Sequence, residues 1–221
     1  MRFFSLLITF LIFSAVSNAE VILNPVGTFE TGVFGQGAAE IVAYDTAAQR
    51  VFVINADASI VDVLDISDPS NPNKIFDINV TNDINPNGGI NSVDVKNGLV
   101  AIAVENDNPT MDGFVAFYDT EGNFISFVNV GNLPDAVKFT EDGNKVVVAN
   151  EGEQVGDGGD PELFVADPKG SISIIDVSSG AAAATAVTLD FTGFDGREAE
   201  FAAKGVKLQP GNLMSTELEP E

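Results

Sequence analysis

The sequence contains no cysteine and no histidine, and both absences limit its chemistry. Without cysteine the chain can form no disulfide, and it offers neither a thiolate nucleophile nor a sulfur ligand for a metal. Without histidine it has no Ser-His-Asp triad, no histidine-based zinc site and no imidazole general base. Hydroxyls, carboxylates, amides, lysine and arginine remain. Oxygen ligands of this kind suit hard cations, calcium above all.

Long apolar runs are also scarce, since only residues 3–16 form a continuous, mostly apolar stretch. Arg2 precedes this stretch and the small residues Ser17-Asn18-Ala19 follow it, which is the pattern of a secretory signal peptide over residues 1–19. No later segment approaches the roughly twenty apolar residues of a transmembrane helix. We therefore expect an exported protein, periplasmic, extracellular or on the cell surface, with no transmembrane segment in this chain.

Basic residues are few, because 33 Asp and Glu stand against 10 Lys and Arg and give a formal net charge of -23 at pH 7. A surface of this sign repels nucleic acid and anionic lipid. It favours cations, or solubility in a salty medium. The expected partner is an extracellular protein or glycan and not a nucleic acid.

Short runs of Val, Ile, Phe and Ala alternate with turn clusters rich in Gly, Asn, Asp and Pro, which predicts an all-β protein. A pair of strands recurs three times, and each time the second of the pair ends in an aspartate: Asp65, Asp119 and Asp176. This repeat length is typical of a four-stranded propeller blade. Asn97-Gly98 and Asp142-Gly143 predict tight hairpins, because these residues tolerate a positive φ.

Three blades account for residues 20–191. Their first, innermost strands are predicted at 38–44, 90–95 and 134–139, and their second strands at 51–55, 100–105 and 146–150. Propellers need at least four blades to close, so the fold predicted is a partial β-propeller. Residues 192–221 are predicted to be an insertion with a short helix, capped by Asp195, that leads to the first strand of a missing fourth blade.

Several residues have a structural interpretation. The aspartates that end the third strands are expected to accept turn amides. Four phenylalanines in alternating strands are expected to lie in the core between blades: Phe52, Phe117, Phe127 and Phe139.

Three segments resemble the choice-of-anchor I family of secreted bacterial proteins: PDAVKFTEDGNKVVVANEGE (134–153), DPKGSISIIDVS (167–178) and AKGVKLQPGN (203–212). The resemblance implies a secreted or surface-anchored, seven-bladed YVTN/LVIVD-like propeller with a variable C-terminal anchor. Related proteins are labelled mesenchyme-specific cell surface glycoprotein, and some are labelled alkaline phosphatase. The likeness covers roughly the first half of a typical member, so this chain is expected to be an N-terminal fragment whose later blades are missing.

The loops that join second to third strands, and one blade to the next, are the acidic ones, and function usually lies on such loops. Carboxylates at the starts of innermost strands would ring the channel mouth, and a cation would relieve their repulsion. The predicted calcium ligands are Glu40, Asp135, Glu151, Glu153, Asp157, Asp160 and Asp167. For the loop at 151–170 the alternative is a solvated acidic surface. For Glu40 and Asp135 it is a carboxylate bonded to backbone amides of the adjacent blade.

Three functions remain open on the sequence. The first is a non-catalytic binding or scaffold module of the cell surface, with calcium on its acidic loop face. The second is part of a secreted calcium-dependent phosphoesterase, for which Lys169, Arg197 and Lys204 are the only basic residues available to hold phosphate. The third is a structural component of an outer layer that associates through exposed blade edges.

Overall fold

A computed structural model of the chain describes residues 22–85, 88–156, 165–208 and 211–221. The predicted signal peptide therefore lies outside the described residues. Among the residues described, no helix is long and apolar enough to cross a membrane.

The described chain forms three four-stranded antiparallel sheets, each with its strands in sequence order. Blade 1 contains β1 (Val42–Asp45), β2 (Arg50–Asn55), β3 (Ile60–Asp65) and β4 (Asn73–Ile78). Blade 2 contains β5 (Gly89–Lys96), β6 (Leu99–Glu105), β7 (Asp112–Asp119) and β8 (Phe124–Asn132). Blade 3 contains β9 (Pro134–Phe139), β10 (Lys145–Asn150), β11 (Ser171–Asp176) and β12 (Thr185–Asp190). The all-β, partial-propeller prediction is confirmed.

The first strands of neighbouring blades lie side by side, so they form the inner edge of the array. Between blades 2 and 3 this contact is specific. The Phe139 backbone N–H donates to the Asp94 carboxylate at 2.8 Å, and the Val137 N–H donates to Ser92 Oγ at 3.3 Å. Lys138 Nζ lies 2.8 Å from Asp94 Oδ1. Buried polar side chains on one innermost strand therefore satisfy the backbone of the next.

Two apolar cores separate the three sheets, and blade 2 contributes to both. Val100, Ile102 and Val104 of β6 pack toward blade 1, in a core with Phe52 and Ile54. Ala101 and Ala103, on the opposite face of the same strand, pack toward blade 3. Because successive side chains of a strand point to opposite faces, this central strand is apolar at nearly every position.

Among the described residues, no blade packs against the far face of blade 3, opposite its contact with blade 2. Val147, Val187 and Leu189 on this face are 38%, 62% and 55% exposed. The strand registers place Val147 at the position that Ala101 occupies in blade 2, where the side chain is fully buried. The same repeat position is thus covered in one blade and open in the next.

The two ends of the sheets differ in their connections. At the turn end, turns join first to second strands and third to fourth strands, from the tight turn at 97–98 to the connection at 177–184. At the loop end, the connections from second to third strands and from one blade to the next vary more in length, from Leu133 alone between β8 and β9 to residues 151–170 between β10 and β11. The hairpin predicted at Asn97-Gly98 lies at the turn end, with φ values of 53° and 80°, as a type I′ turn requires.

Two predictions about packing and capping are wrong. Phe52, Phe117 and Phe139 are buried as expected. Phe127 is 46% exposed, because its strand β8 is the outermost of blade 2, and its ring makes a T-shaped contact with Phe114. The short helix in the insertion, α1 (Glu198–Ala203), has Arg197 at its N-cap and no side-chain cap. Asp195 instead accepts hydrogen bonds from the backbone and hydroxyl of Ser215, at 2.9 and 3.0 Å.

The first strand is shorter than the predicted range of 38–44. β1 begins only at Val42, although Glu40 N still donates to Ile54 O at 3.1 Å. The chain before β1 still follows the end of β2, since the Ala56 N–H donates to Gly37 O at 3.0 Å. A second helix, α2 (Met214–Glu217), follows α1 in the insertion.

Candidate functional site: carboxylates at the loop end of blade 3

The start of β9 and the end of β10 lie together at the loop end of blade 3. Asn150 pairs with Pro134 in the sheet, and the Glu151 N–H donates to Leu133 O at 2.8 Å. Asp135 and Glu151 are therefore brought to the same inner corner of the blade by the register of one hairpin.

Glu151 has the most strongly shifted pKa of the carboxyls in this corner. The pKa of Glu151 is raised to about 7 by partial burial, together with repulsion from four nearby carboxylates: Asp135, Glu153, Glu219 and Glu221. Burial and like charges both disfavour the ionised form of an acid. Near neutral pH this side chain is therefore divided between its protonated and charged forms.

The neighbouring carboxyls show the same direction of shift. Burial, followed by repulsion from Glu221, raises the pKa of Asp135. Burial also raises the pKa of Glu219, with Glu153 as the largest charge acting on it. The pKa of Asp167 is raised by burial, against a hydrogen bond from Thr216 that lowers it. We call this set the carboxylate cluster: Asp135, Glu151, Glu153, Asp167, Glu217, Glu219 and Glu221.

The C-terminal part of the cluster is placed by α2. Met214 and Ser215 are buried, and the Gly170 N–H donates to Ser215 O at 3.1 Å. A side chain at Gly170 would overlap the carbonyl oxygen of Leu218, so this approach requires glycine. The contact lays the last residues of the described chain against the start of β11, beside the loop that follows Glu151.

The connection between blades 2 and 3 is strained next to the cluster. Leu133 has a φ of 47°, in the left-handed region that a large side chain rarely adopts, and it precedes Pro134. A residue in this conformation costs of the order of 1–3 kcal/mol and persists when its surroundings fix it. Here the hydrogen bond from Glu151 and the buried Asn132 hold it on both sides.

The structure brings some of the predicted calcium ligands together and not others. Asp135, Glu151, Glu153 and Asp167 come together as described above. Glu40 is exposed and precedes β1, and Asp157 and Asp160 lie outside the described residues. In blade 2 the strand registers place Asn91 at the position of Asp135, and the neighbouring Ser92 is buried and serves the blade contact. Within the ranges the structure covers, no three acidic side chains are close enough to hold a metal ion as they stand.

Sequence reasoning missed Glu217 and Glu219 as members of the cluster. Both belong to the acidic segment TELEPE (216–221), and its high content of glutamate was the one feature of the sequence that could have indicated their role. Of the three basic residues considered for phosphate, Arg197 and Lys204 both pair with Glu200, at 3.0 and 2.6 Å.

The comparisons with known proteins decide the family. The model of the choice-of-anchor I domain matches residues 40–221. The chain belongs to the choice-of-anchor I domain family. Such domains are associated with secreted and cell-surface proteins, so the chain is a β-rich module of that class. No curated protein matches this choice-of-anchor I chain.

Several solved structures are similar to this choice-of-anchor I chain at low sequence identity. A putative 6-phosphogluconolactonase from Bacteroides fragilis NCTC 9343 is 12% identical with a TM-score of 0.51, over 70% of this chain and 39% of that one. Kuenenia stuttgartiensis hydrazine synthase is 15% identical with a TM-score of 0.45, over 67% of this chain and 37% of that one. A protein from Lactobacillus plantarum is 15% identical with a TM-score of 0.45, over 68% and 42%. The chain thus spans well under half the length of these structures.

Proposed function

We propose that the chain is part of a non-catalytic binding module of the cell surface or extracellular space, which uses the loop end of its blades to hold a ligand. One observation carries this proposal: carboxylates from four separate segments lie together at the loop end and repel one another. A cation placed among such carboxylates would relieve their repulsion, and perturbed carboxyls of this kind cluster at functional sites.

Calcium is the ligand that this cluster suits best. Calcium accepts six to eight oxygen ligands at flexible spacing, and binding it would remove the repulsion that raises the pKa of Glu151. The side chains would have to move inward to coordinate an ion. Gly152, with a φ of 68°, lies between two of the acidic residues and gives the backbone room to adjust.

A thermal melt with and without calcium tests this role. Extracellular calcium modules have dissociation constants of about 0.1–1 mM, so ~10 mM calcium should stabilise the chain by about 1.4–2.7 kcal/mol at pH 8. For a chain of this size the melting temperature rises by roughly 3–10 °C, and a chelator should reverse the rise. Magnesium at equal ionic strength should have little effect.

A pair of variants localises the effect. The double substitution Glu151→Gln with Glu219→Gln removes two charges from the cluster and should abolish the rise. Its control, Glu141→Gln with Glu121→Gln, removes two exposed charges at the turn end and should leave the rise intact. No rise in the unmodified chain, or an equal rise in both variants, would overturn the calcium role.

We further propose that the open face of blade 3 is covered by another blade in the whole protein. Its exposed Val147 occupies the repeat position of Ala101, which is fully buried in blade 2, and its exposed Leu189 occupies the position of Val128, which is partly buried against the same core. Apolar strands of this kind bury their faces against the next repeat. The partner expected at this face is therefore a sheet of the same repeat.

A further inference from the structure

A polar cleft separates blades 2 and 3 at the loop end, on the outer side of the sheets and away from the innermost strands. Its volume is about 280 Å³. Four strand ends form it, since Asp112 pairs with Asn132 in blade 2 and Ser171 pairs with Asp190 in blade 3. Thr188 and Lys169 complete the polar lining, and Val130 and Pro168 supply apolar wall.

The walls of this interblade cleft are fixed by contacts that do not involve any ligand. Asn132 Nδ2 donates to the carbonyls of Pro109 and Met111 at 2.9 and 2.8 Å, which holds the loop that forms one rim. Ser173 Oγ and Thr188 Oγ1 lie 2.7 Å apart on the other side. A side chain at Gly131 would collide with Ser171 Oγ. The close approach of blades 2 and 3 at the bottom of the cleft therefore requires glycine at this position. A cleft on strand ends is preformed, as small-molecule sites usually are.

Lys169 is the cleft residue whose charge has no hydrogen-bond partner within the described chain. Its side chain donates no hydrogen bond there, although its charge acts on Asp190, which lies beside it in blade 3. Asn132 Oδ1 also accepts no hydrogen bond among the described residues, but this atom is fully buried and does not reach the open space of the cleft. The Lys169 ammonium, the carboxylates of Asp112 and Asp190 and the Thr188 hydroxyl therefore line one small space.

We propose that the interblade cleft binds one residue of a neutral saccharide. The vicinal hydroxyls of a sugar donate to carboxylates such as Asp112 and accept from an ammonium such as Lys169, so one ligand serves both kinds of group. An acidic sugar would meet two carboxylates and a chain of net charge -23. The volume lies at the lower end of the range for ligand pockets and suits a single ring. The inference rests on the proposed binding role, but on residues outside the carboxylate cluster.

Saturation-transfer NMR on the full chain tests the proposal with four probes: the methyl glycosides of glucose, galactose, mannose and N-acetylglucosamine. Spectra are recorded with a chelator present, so that sugar binding is measured apart from calcium. We expect transfer to at least one neutral glycoside and none to methyl galacturonide. Transfer to none of the four, or to the galacturonide alone, would overturn the proposal.

A matched pair of variants places the site. Asp112→Asn with Lys169→Gln should weaken binding roughly tenfold or more, because hydrogen bonds to charged groups are lost. Asp107→Asn with Lys96→Gln makes the same change in charge outside the cleft and should leave binding unchanged. Equal binding by both variants would contradict the assignment. Neither pair lies in the carboxylate cluster, so the calcium response should survive in both, and either proposal can fail alone.

Discussion

Carboxylates at the two ends of the sheets are in opposite electrostatic states. At the turn end, each aspartate that closes a third strand accepts a backbone N–H two residues later: Ser67 at 2.8 Å, Glu121 at 3.0 Å and Ser178 at 2.9 Å. Hydrogen bonds from Ser67 hold the pKa of Asp65 below its usual value, and those from Ser178 do the same for the pKa of Asp176. At the loop end, burial and like charges raise the pKa values of Asp135 and Glu151.

The opposite pKa shifts arise from the groups around each carboxyl and not from the residue type. An amide N–H stabilises the ionised form of a carboxyl, whereas burial beside other carboxylates destabilises it. Asp190 shows that the end of the sheet does not by itself decide the direction of the pKa shift. It lies at the loop end, and hydrogen bonds from Thr192 still lower its pKa. Turn-end carboxylates are therefore part of the scaffold, whereas Asp135, Glu151 and Glu219 of the carboxylate cluster lie where burial and like charges disfavour their ionised forms.

Removing a turn-end carboxylate should have the largest effect on stability. Asp119 accepts hydrogen bonds from the backbone of Glu121 and from the backbone and side chain of Asn123, at 2.7–3.0 Å. Asp119→Ala should lower the free energy of unfolding by about 1–2 kcal/mol at pH 7, because these donors lose their acceptor. Urea unfolding measures the change. Asp119→Asn keeps one acceptor oxygen, so its free energy of unfolding should fall by less than that of the alanine variant. Equal decreases in the two variants would contradict a stabilising role for these hydrogen bonds.

Neutralising a carboxylate of the cluster should raise the free energy of unfolding, by less than the loss expected for Asp119→Ala. The folded-state pKa of Glu151 is raised above its ordinary value of 4.5 to about 7, so the folded chain binds this proton more tightly than the unfolded chain. Its ionisation therefore destabilises the fold as pH rises from about 5 to 8. Without calcium, Glu151→Gln should raise the free energy of unfolding at pH 8 by roughly 1 kcal/mol after solvent screening, and change it little at pH 5.

Glu141→Gln is the control for this pH dependence, because it removes an exposed charge at the turn end. Thermal melts of both variants at pH 5 and pH 8 separate a local effect from the general relief of net negative charge. If the two variants gain the same stability at pH 8, the crowding at the loop end has no special role.

The strands and the turn-end aspartates could be predicted from sequence because their signals are local. Alternation of apolar and polar residues predicts each strand. The following turn supplies the backbone N–H that donates to Asp65 or Asp176. Phe127 follows the same alternation as Phe117, yet it is exposed, because alternation does not tell which strand lies at the rim of a blade.

The complete cluster could not be predicted, because tertiary contacts assemble it. Glu219 reaches Glu153 only because α2 packs on Gly170, and nothing in the local sequence of either glutamate indicates that contact. The interblade cleft arises in the same way, from strand ends on two different sheets. Asp135 and Glu151 were predictable, since one hairpin brings both to the same end.

The most direct test of the contrast between the two ends is an NMR titration of the side-chain carboxyl carbons in ¹³C-labelled, calcium-free protein. Glu151 should titrate near pH 7 and Asp135 above its ordinary pKa of 3.8, while Asp65 and Asp119 titrate below that value. A Glu151 pKa at its ordinary value of 4.5 would contradict the account.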